Sequence, residues 1–368
     1  MSESPSTSPN QAAPPLRAAF IGTGGIAEQH FIALAARDDI ELVGMADLNE
    51  TLMHERCEAF GVPKDGVFTD YQLMLEKVRP DLVTVCTPNG LHAPNTIASL
   101  EAGAHVIVEK PMAMNVSEAR AMIAAAEKAD RKLCIGFQFR YDPKTQFLVD
   151  QREAGFFGDL RFGRVWALRR RGIPNWGVFG RKELQGGGPM IDIGVHSLEM
   201  CHYTMGSPKP VAATGMIDTY LGNSEASSKV HAAWAGWDWK TYTVEDLAVG
   251  SIRFENGAVI HVESSFAAHH EHTGTTMDFQ VMGTKGGAKW STSELFTDAN
   301  GYMMNSEPAW LPKHGWTDYF HKKLGNFIDH LRTGSPMQAP AEHGLMLQQM
   351  LEAMYKSAEQ GGAEVLID

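Results

Sequence analysis

Three observations predict an α/β chain of two domains. Between residues 17 and 138, short apolar runs alternate with helix-forming stretches, as in a parallel sheet covered on both faces. A glycine-rich turn joins the first of these runs to the first helix. From residue 139 to 368 that rhythm gives way to strand-length runs that alternate or stay apolar, marking a second domain. No internal repeat is present, and 368 residues are enough for each domain to bury its own core.

Composition removes several function classes. A hydrophobic content of 43% with 21% charged residues is ordinary for a globular chain. The formal charge of −12 leaves no general basic field, so neither nucleic acid nor an anionic membrane is an expected partner. Cys57, Cys86, Cys134 and Cys201 lack CxxC spacing and mostly adjoin apolar segments, as reduced thiols of a cytoplasmic protein do. The start, "MSESPSTSPNQAAPP", has neither the cationic end nor the apolar core of a signal peptide. Residues 1–16 therefore read as a disordered tail, and no run approaches the roughly 18 apolar residues of a membrane span.

The first element is the apolar strand Ala18 to Ile21, which turns through glycines into "IAEQHFIALAAR". Gly22, Gly24 and Ala27 fit G-x-G-x-x-G/A: a tight turn, close backbone approach to a pyrophosphate, and close packing of helix on strand. With Gly25 and Ile26 they offer the amino end of a helix to a dinucleotide. The next run, "IELVGMAD", ends at Asp47, about 20 residues beyond Ala27, where such a fold places the acid that binds the adenosine ribose. An aspartate there repels a 2′-phosphate, which favours NAD over NADP.

Further along come the helix "YQLMLEKVRP", the strand "DLVTVCTP", the helix "APNTIASLEAG", the strand "HVIVEKP", the helix "SEARAMIAAAEKAD" and the strand "KLCIGFQ". Ligands of parallel sheets bind beyond the carboxyl ends of the strands. Thr87, Pro88, Asn89 and His92 of "TPNGLH" and Glu109 and Lys110 of "EKP" occupy such ends and are expected at the cofactor. Pro111 stops its strand, and the bond before it is one that can be cis. In the second domain, "QGGGPMIDIGVHSLEM" (185–200) releases the backbone through three glycines and then starts a helix. Asp192 and His196, four apart, are expected on one face, the carboxylate orienting the imidazole for proton transfer. A nearby lysine would stabilise charge on the same oxygen.

Together, "AAFIGTGGIAEQH", "AD" (46–47), "TPNGLH", "EKPMA", "GGGPMIDIGVHSLE", "GTKGGA" (283–288) and the closing stretch 340–367 resemble the glucose-fructose oxidoreductase / inositol dehydrogenase / MocA family in order and spacing. The resemblance implies an N-terminal Rossmann dinucleotide-binding domain, then an α/β domain with a large, mostly antiparallel sheet. It implies a nicotinamide cofactor, oxidation or reduction of a sugar, glycoside or cyclitol carbon, and catalytic roles for Lys110, Asp192 and His196. Two other outcomes use the same framework: NAD-dependent glycoside cleavage through transient C3 oxidation, and a non-catalytic NAD sensor. The intact Lys110, Asp192 and His196 argue against the sensor.

The rest of the second domain supplies expectations of its own. "VIHVESSFAA" and "TMDFQVMGTKG" flank a short connector, as in antiparallel sheet. The open face of such a sheet suggests a homodimer or homotetramer. Phe320, Leu324, Phe327, Ile328 and Leu331 make one helical stripe, ended by Gly334, and Leu347, Met350, Leu351 and Met354 make another. Trp176 and an arginine of "LRRRG" (168–172) are candidates to lie over the substrate, the indole stacking on a sugar face and the arginine binding hydroxyls or an acidic group, and Arg140, after the last Rossmann strand, is a similar candidate. The tryptophans of "WAGWDWKTY" suit sugar stacking or a subunit contact. "HHEH" (269–272) does not make a metal set, because adjacent strand residues face opposite ways, and no metal is expected.

Overall fold

The structure, a computed structural model, describes residues 13–232, 234–271 and 276–368. The greater part of the expected tail therefore lies outside the described residues, as do His272 of the histidine run and its neighbours to 275.

The first domain comprises β1 (Leu16–Ile21), α1 (Gly25–Ala35), β2 (Ile40–Ala46), α2 (Glu50–Phe60), β3 (Val67–Phe68), α3 (Tyr71–Val78), β4 (Leu82–Val85), α4 (His92–Glu101), β5 (His105–Val108), α5 (Val116–Ala129) and β6 (Leu133–Ile135). Its six strands lie in the order β3-β2-β1-β4-β5-β6, all parallel. This is the doubly wound order of a Rossmann sheet, with its crevice beyond the carboxyl ends of the strands. Helix α2 and the two-residue β3 were not read from the sequence, β3 being too short to show a period. Local chemistry fixes the helix starts: Asn49, Asp70 and Asn115 accept backbone N–H bonds as side-chain caps of α2, α3 and α5. At α1 the cap is Gly24, with no side-chain acceptor.

The second domain contains α6 (Pro143–Glu153), β7 (Leu160–Leu168), α7 (Lys182–Gln185), α8 (Val195–Thr204), β8 (Pro210–Asp218), α9 (Glu225–Ser228), β9 (Leu247–Phe254), β10 (Val259–Ser265), β11 (Met277–Gly283), β12 (Gly286–Lys289), β13 (Glu294–Ala299), β14 (Tyr302–Ser306), α10 (Trp316–Thr333), α11 (Ala341–Glu359) and β15 (Val365–Leu366). Nine strands form one sheet, β14-β13-β12-β11-β7-β10-β9-β8-β15, antiparallel except for the parallel pair β7–β10. One expectation changes here. The runs around 260 and 280 are not partners, because β7 inserts between them and pairs with both. Helices α8 and α11 cover one face, α8 against β7 and β11 and α11 against β8 and β9.

The two long stripes read from the sequence are core. Phe320, Leu324, Phe327 and Ile328 are fully buried where α10 packs on α1, and α10 ends at Gly334 with φ 73°. Leu347, Met350, Leu351 and Met354 are buried as α11 lies across α5 and the large sheet. The end of the chain thus returns to the first domain: the Ile135 N–H donates to the Ala339 carbonyl at 3.0 Å, beyond the outer strand β6. Among the described residues, no helix is long and apolar enough to cross a membrane.

Candidate active site

The cofactor edge is built by backbone packing. Gly22 has φ 88°, and a Cβ there would stand 2.8 Å from the Cys86 carbonyl atoms, so only glycine lets the β1 turn rest on the end of β4. Ala27 is fully buried where α1 meets the sheet. At Gly24 and Gly25 nothing lies within 4 Å of where a side chain would begin. That opening, above the uncapped start of α1, fits a pyrophosphate. Ile26 follows, half-buried, in the first turn of the same helix. Asp47 stands beside the loop and accepts the Thr23 N–H at 2.7 Å, the Thr23 hydroxyl at 3.0 Å and the Asn49 N–H at 2.9 Å. Pro88, exposed, and Thr87 continue this edge at the end of β4. Asn89 turns toward the second domain, its amide donating to the Gln185 carbonyl at 3.0 Å.

Lys110 is the second residue beyond β5, and its bond to Pro111 is cis. Its Nζ donates to the Asp192 carbonyl at 2.8 Å and lies 3.3 Å from Asp192 Oδ1. Asp192 sits in a π turn, Met190–Gly194, that leads into α8. This turn is reached through the glycine run: the buried Glu245 accepts N–H bonds from Gly188 (2.8 Å) and Met190 (3.4 Å) and the Tyr355 hydroxyl at 2.7 Å. A side chain at 187 would strike the Tyr355 hydroxyl and one at 188 the Glu245 carbonyl, which explains that two-residue stretch of glycine.

The expected Asp192–His196 pair is not made. The π turn carries one residue more per turn than an α-helix, and the carboxylate turns to Lys110 instead. His196 packs edge-on against Phe139, ring centres 5.0 Å apart. Burial first, then the Lys110 charge, pushes its pKa well below the usual histidine range. The imidazole is therefore neutral.

Three further expectations are corrected. The Glu109 carboxylate does not face the cofactor: it is buried, with His30 Nε2 at 2.8 Å and Lys323 Nζ at 2.5 Å from Oε1. Burial would raise its pKa, but Lys323 and His30 outweigh that and hold it below the carboxylate range. His92 is buried too, its nitrogens 2.7 Å from the Pro111 carbonyl and 2.9 Å from that of Thr87. It ties the two strand-end loops together. Arg140 is fully buried, paired with Glu199 at 2.5 Å, bonded to the Gln338 carbonyl and 2.7 Å from His343 Nδ1. It fastens α8 to the segment before α11 and cannot reach a substrate. Trp176, half exposed, stands edge-on to Trp234 at 5.0 Å, whereas Trp237 is buried and bonded to the Gly222 carbonyl.

One residue was not read from the sequence. Lys323 falls on the buried stripe of α10, three beyond Phe320 and four before Phe327, and a lysine in an apolar stripe signals a buried partner. Arg169 lies near enough to Asp192 for that carboxylate to support its charge. Of the histidine run, His269 meets Arg171 Nη2 at 2.8 Å. Among the described residues no group of three or more His, Cys, Asp or Glu side chains could hold a metal.

Comparison with known proteins adds independent findings. A model described as an oxidoreductase family, NAD-binding Rossmann fold, matches residues 16–137, and its C-terminal alpha/beta domain matches residues 159–366. A D-glucoside 3-dehydrogenase of Escherichia coli is 37% identical over 94% of this chain and 96% of its own length. A myo-inositol 2-dehydrogenase of Thermotoga maritima is 27% identical over 94% of this chain and 97% of its own. The crystal structure of an aldose-aldose oxidoreductase from Caulobacter crescentus complexed with glycerol superposes with a TM-score of 0.76 at 25% identity, covering 96% of this chain and 100% of that one.

Two predictions come from these groups. Glu109→Gln and Lys323→Met should each cost about 3–5 kcal/mol in denaturant unfolding, because each strands a buried partner, and the double variant should cost less than the sum. Simple additivity would contradict the pairing. Burial holds His30 and His202 at about 4. As pH falls below about 6.5 the unfolded chain therefore gains protons that the native state refuses, and stability falls until about pH 4. The raised Glu199 and Glu245 act in the opposite sense. The check is His202→Gln, which should make the loss of Tm between pH 7 and 5 shallower; an unchanged slope would refute a neutral His202.

Proposed function

The chain belongs to the Gfo/Idh/MocA family of NAD-binding oxidoreductases, and on that premise we propose that it transfers a hydride between nicotinamide and a hydroxyl carbon of a sugar, glycoside or cyclitol. The observation that carries the reading is the contact of Lys110 with Asp192, which joins the two domains beyond the end of β5 and near a neutral His196. The likeness to a D-glucoside 3-dehydrogenase over nearly its whole length favours a glucoside, with C3 as the reacting carbon.

Gly22, Gly24, Gly25, Ile26 and Asp47 would hold the dinucleotide, and the Asp47 carboxylate disfavours the 2′-phosphate of NADP. When bound, NAD supplies the hydride acceptor. The chain's residues manage the proton. His196 takes it from the substrate hydroxyl, as a neutral imidazole can. Lys110 hydrogen-bonds the same oxygen and stabilises the charge that grows there, and Asp192 keeps the ammonium in place. The alcohol leaves as a ketone, its hydrogen divided into a hydride and a proton.

We read the open face of the large sheet as an assembly surface. Phe162, Trp166, Leu168 and Val249 remain half exposed on it, opposite the face that α8 and α11 cover. Light scattering should give a dimer or tetramer mass; a monomer at micromolar concentration refutes it.

Lys110→Met should lower kcat by about 10²–10³-fold with NADH binding retained. Full turnover in that variant would overturn the assignment. Incubation with stoichiometric NAD should accumulate NADH from methyl glucosides. Release of the aglycone from an aryl glucoside with no net NADH would instead mean redox-neutral cleavage at the same residues.

A further inference from the structure

Strand β7 ends in three consecutive arginines for which hydride transfer has no use. Arg169, Arg170 and Arg171 line a cavity of about 630 Å³ together with Leu168, Val230 and Trp234. Arg169 links the cavity to the turn Met190–Gly194, since Asp192 lies near enough for its carboxylate to support the guanidinium's charge. The Arg169 N–H donates to the Ser265 carbonyl at the end of β10, the strand on which the turn Met190–Gly194 packs. Arg169 is also one of the cations that disfavour protonation of His196.

The guanidinium of Arg169 is held in place. Its carbon lies 4.7 Å from the centre of the Trp234 ring, and Nη1 donates to the Gly172 carbonyl at 3.1 Å. A side chain at 172 would stand 2.5 Å from Arg169 Cδ, so glycine there leaves the path for the arginine stem. A guanidinium has five N–H donors, and beyond that one bond those of Arg169 meet no acceptor among the described residues. Arg171 is fixed by the carbonyls of Arg170 and Ala268 and by His269, while its Nε is buried without a partner. Among the described residues, none of the three arginines lies within ion-pair distance of a carboxylate. In a chain of charge −12, three cations around one cavity, none in ion-pair contact and only Arg169 with a carboxylate (Asp192) in its neighbourhood, call for an anion.

We propose that this cavity is a subsite for an anionic group of the substrate, a carboxylate, with Arg169 and Arg171 supplying the planar donor forks that bind it and Trp234 backing Arg169. The proposal rests on the sugar dehydrogenase reading and names its substrate class: an acidic sugar or glycoside. A carboxylate at C6 of the ring and one on the aglycone present the same chemistry to paired guanidinium donors.

The test compares methyl glucoside, its C6 carboxylate (methyl glucosiduronic acid) and carboxyphenyl glucoside on the full chain loaded with NAD. Binding is read by calorimetry and turnover separately by NADH absorbance. At least one acid should bind about ten-fold or more tighter than methyl glucoside, and which one does so tells whether the carboxylate is on C6 or on the aglycone. Arg169→Met and Arg171→Met, which keep the stem and lose the fork, should each bring that ratio toward one. Equal binding of acids and neutral glucoside overturns the subsite, as does a preference that survives both substitutions. The wild-type comparison decides even if a variant fails to fold. Failure of the dehydrogenase reading looks different: no sugar, acidic or neutral, reduces NAD, while the anion preference is still read in binding.

Discussion

Two consecutive residues at the end of β5 receive opposite charges from the second domain, and much of the molecule is arranged around that fact. Glu109 takes the ammonium of Lys323 from α10, and Lys110 reaches the carbonyl and carboxylate of Asp192. The two contacts differ in solvation. Glu109 and Lys323 are 4% and 0% exposed, so neither charge could persist without the other. Lys110 and Asp192 keep side-chain exposures of 16% and 20%, so water still reaches that pair. The first contact is therefore a dry tie between the domains, and the second a partly hydrated one.

The same surroundings explain why His196 is neutral rather than a cation. It is packed against Phe139, and burial together with the charges of Lys110, Lys323 and Arg169 opposes a charge on the ring against the support of Glu109. A carboxylate bonded to it would have countered them. The π turn instead delivers Asp192 to the lysine, so the imidazole stays neutral and the lysine stays anchored. Arg140, His92 and Glu245 act behind this arrangement: each is buried and ties a loop of the site to a helix or to another loop.

The fold was legible where one local rule decides it. Apolar strands ending in "TPNGLH" and "EKP", glycines at 22 and 24, and Asp47 at its distance all describe a sheet whose strand ends lie together, and the parallel order β3-β2-β1-β4-β5-β6 brings them there. Pairing in the second sheet was not legible. A strand alternates its faces in the same way whatever lies beside it, so nothing within 259–283 reports that β7, a hundred residues earlier, occupies the space between β10 and β11. Arg140 misled for a related reason, since a guanidinium placed after a ligand-edge strand reads as a substrate group until Glu199, from another helix, is seen to enclose it.

By itself the sequence determined which groups are present and which strand ends or turns carry them, because periodicity, glycine placement and charge are properties of a few neighbouring residues. Lys110, Asp192 and His196 were all named at that level. Only the tertiary structure decided which of them touch: that Asp192 serves the lysine and not the histidine, that Glu109 looks inward to Lys323, and that three arginines border one cavity with Trp234. Those pairings follow from desolvation and close packing between segments far apart in the chain. Such energies depend on distance in space, which the order of residues does not carry.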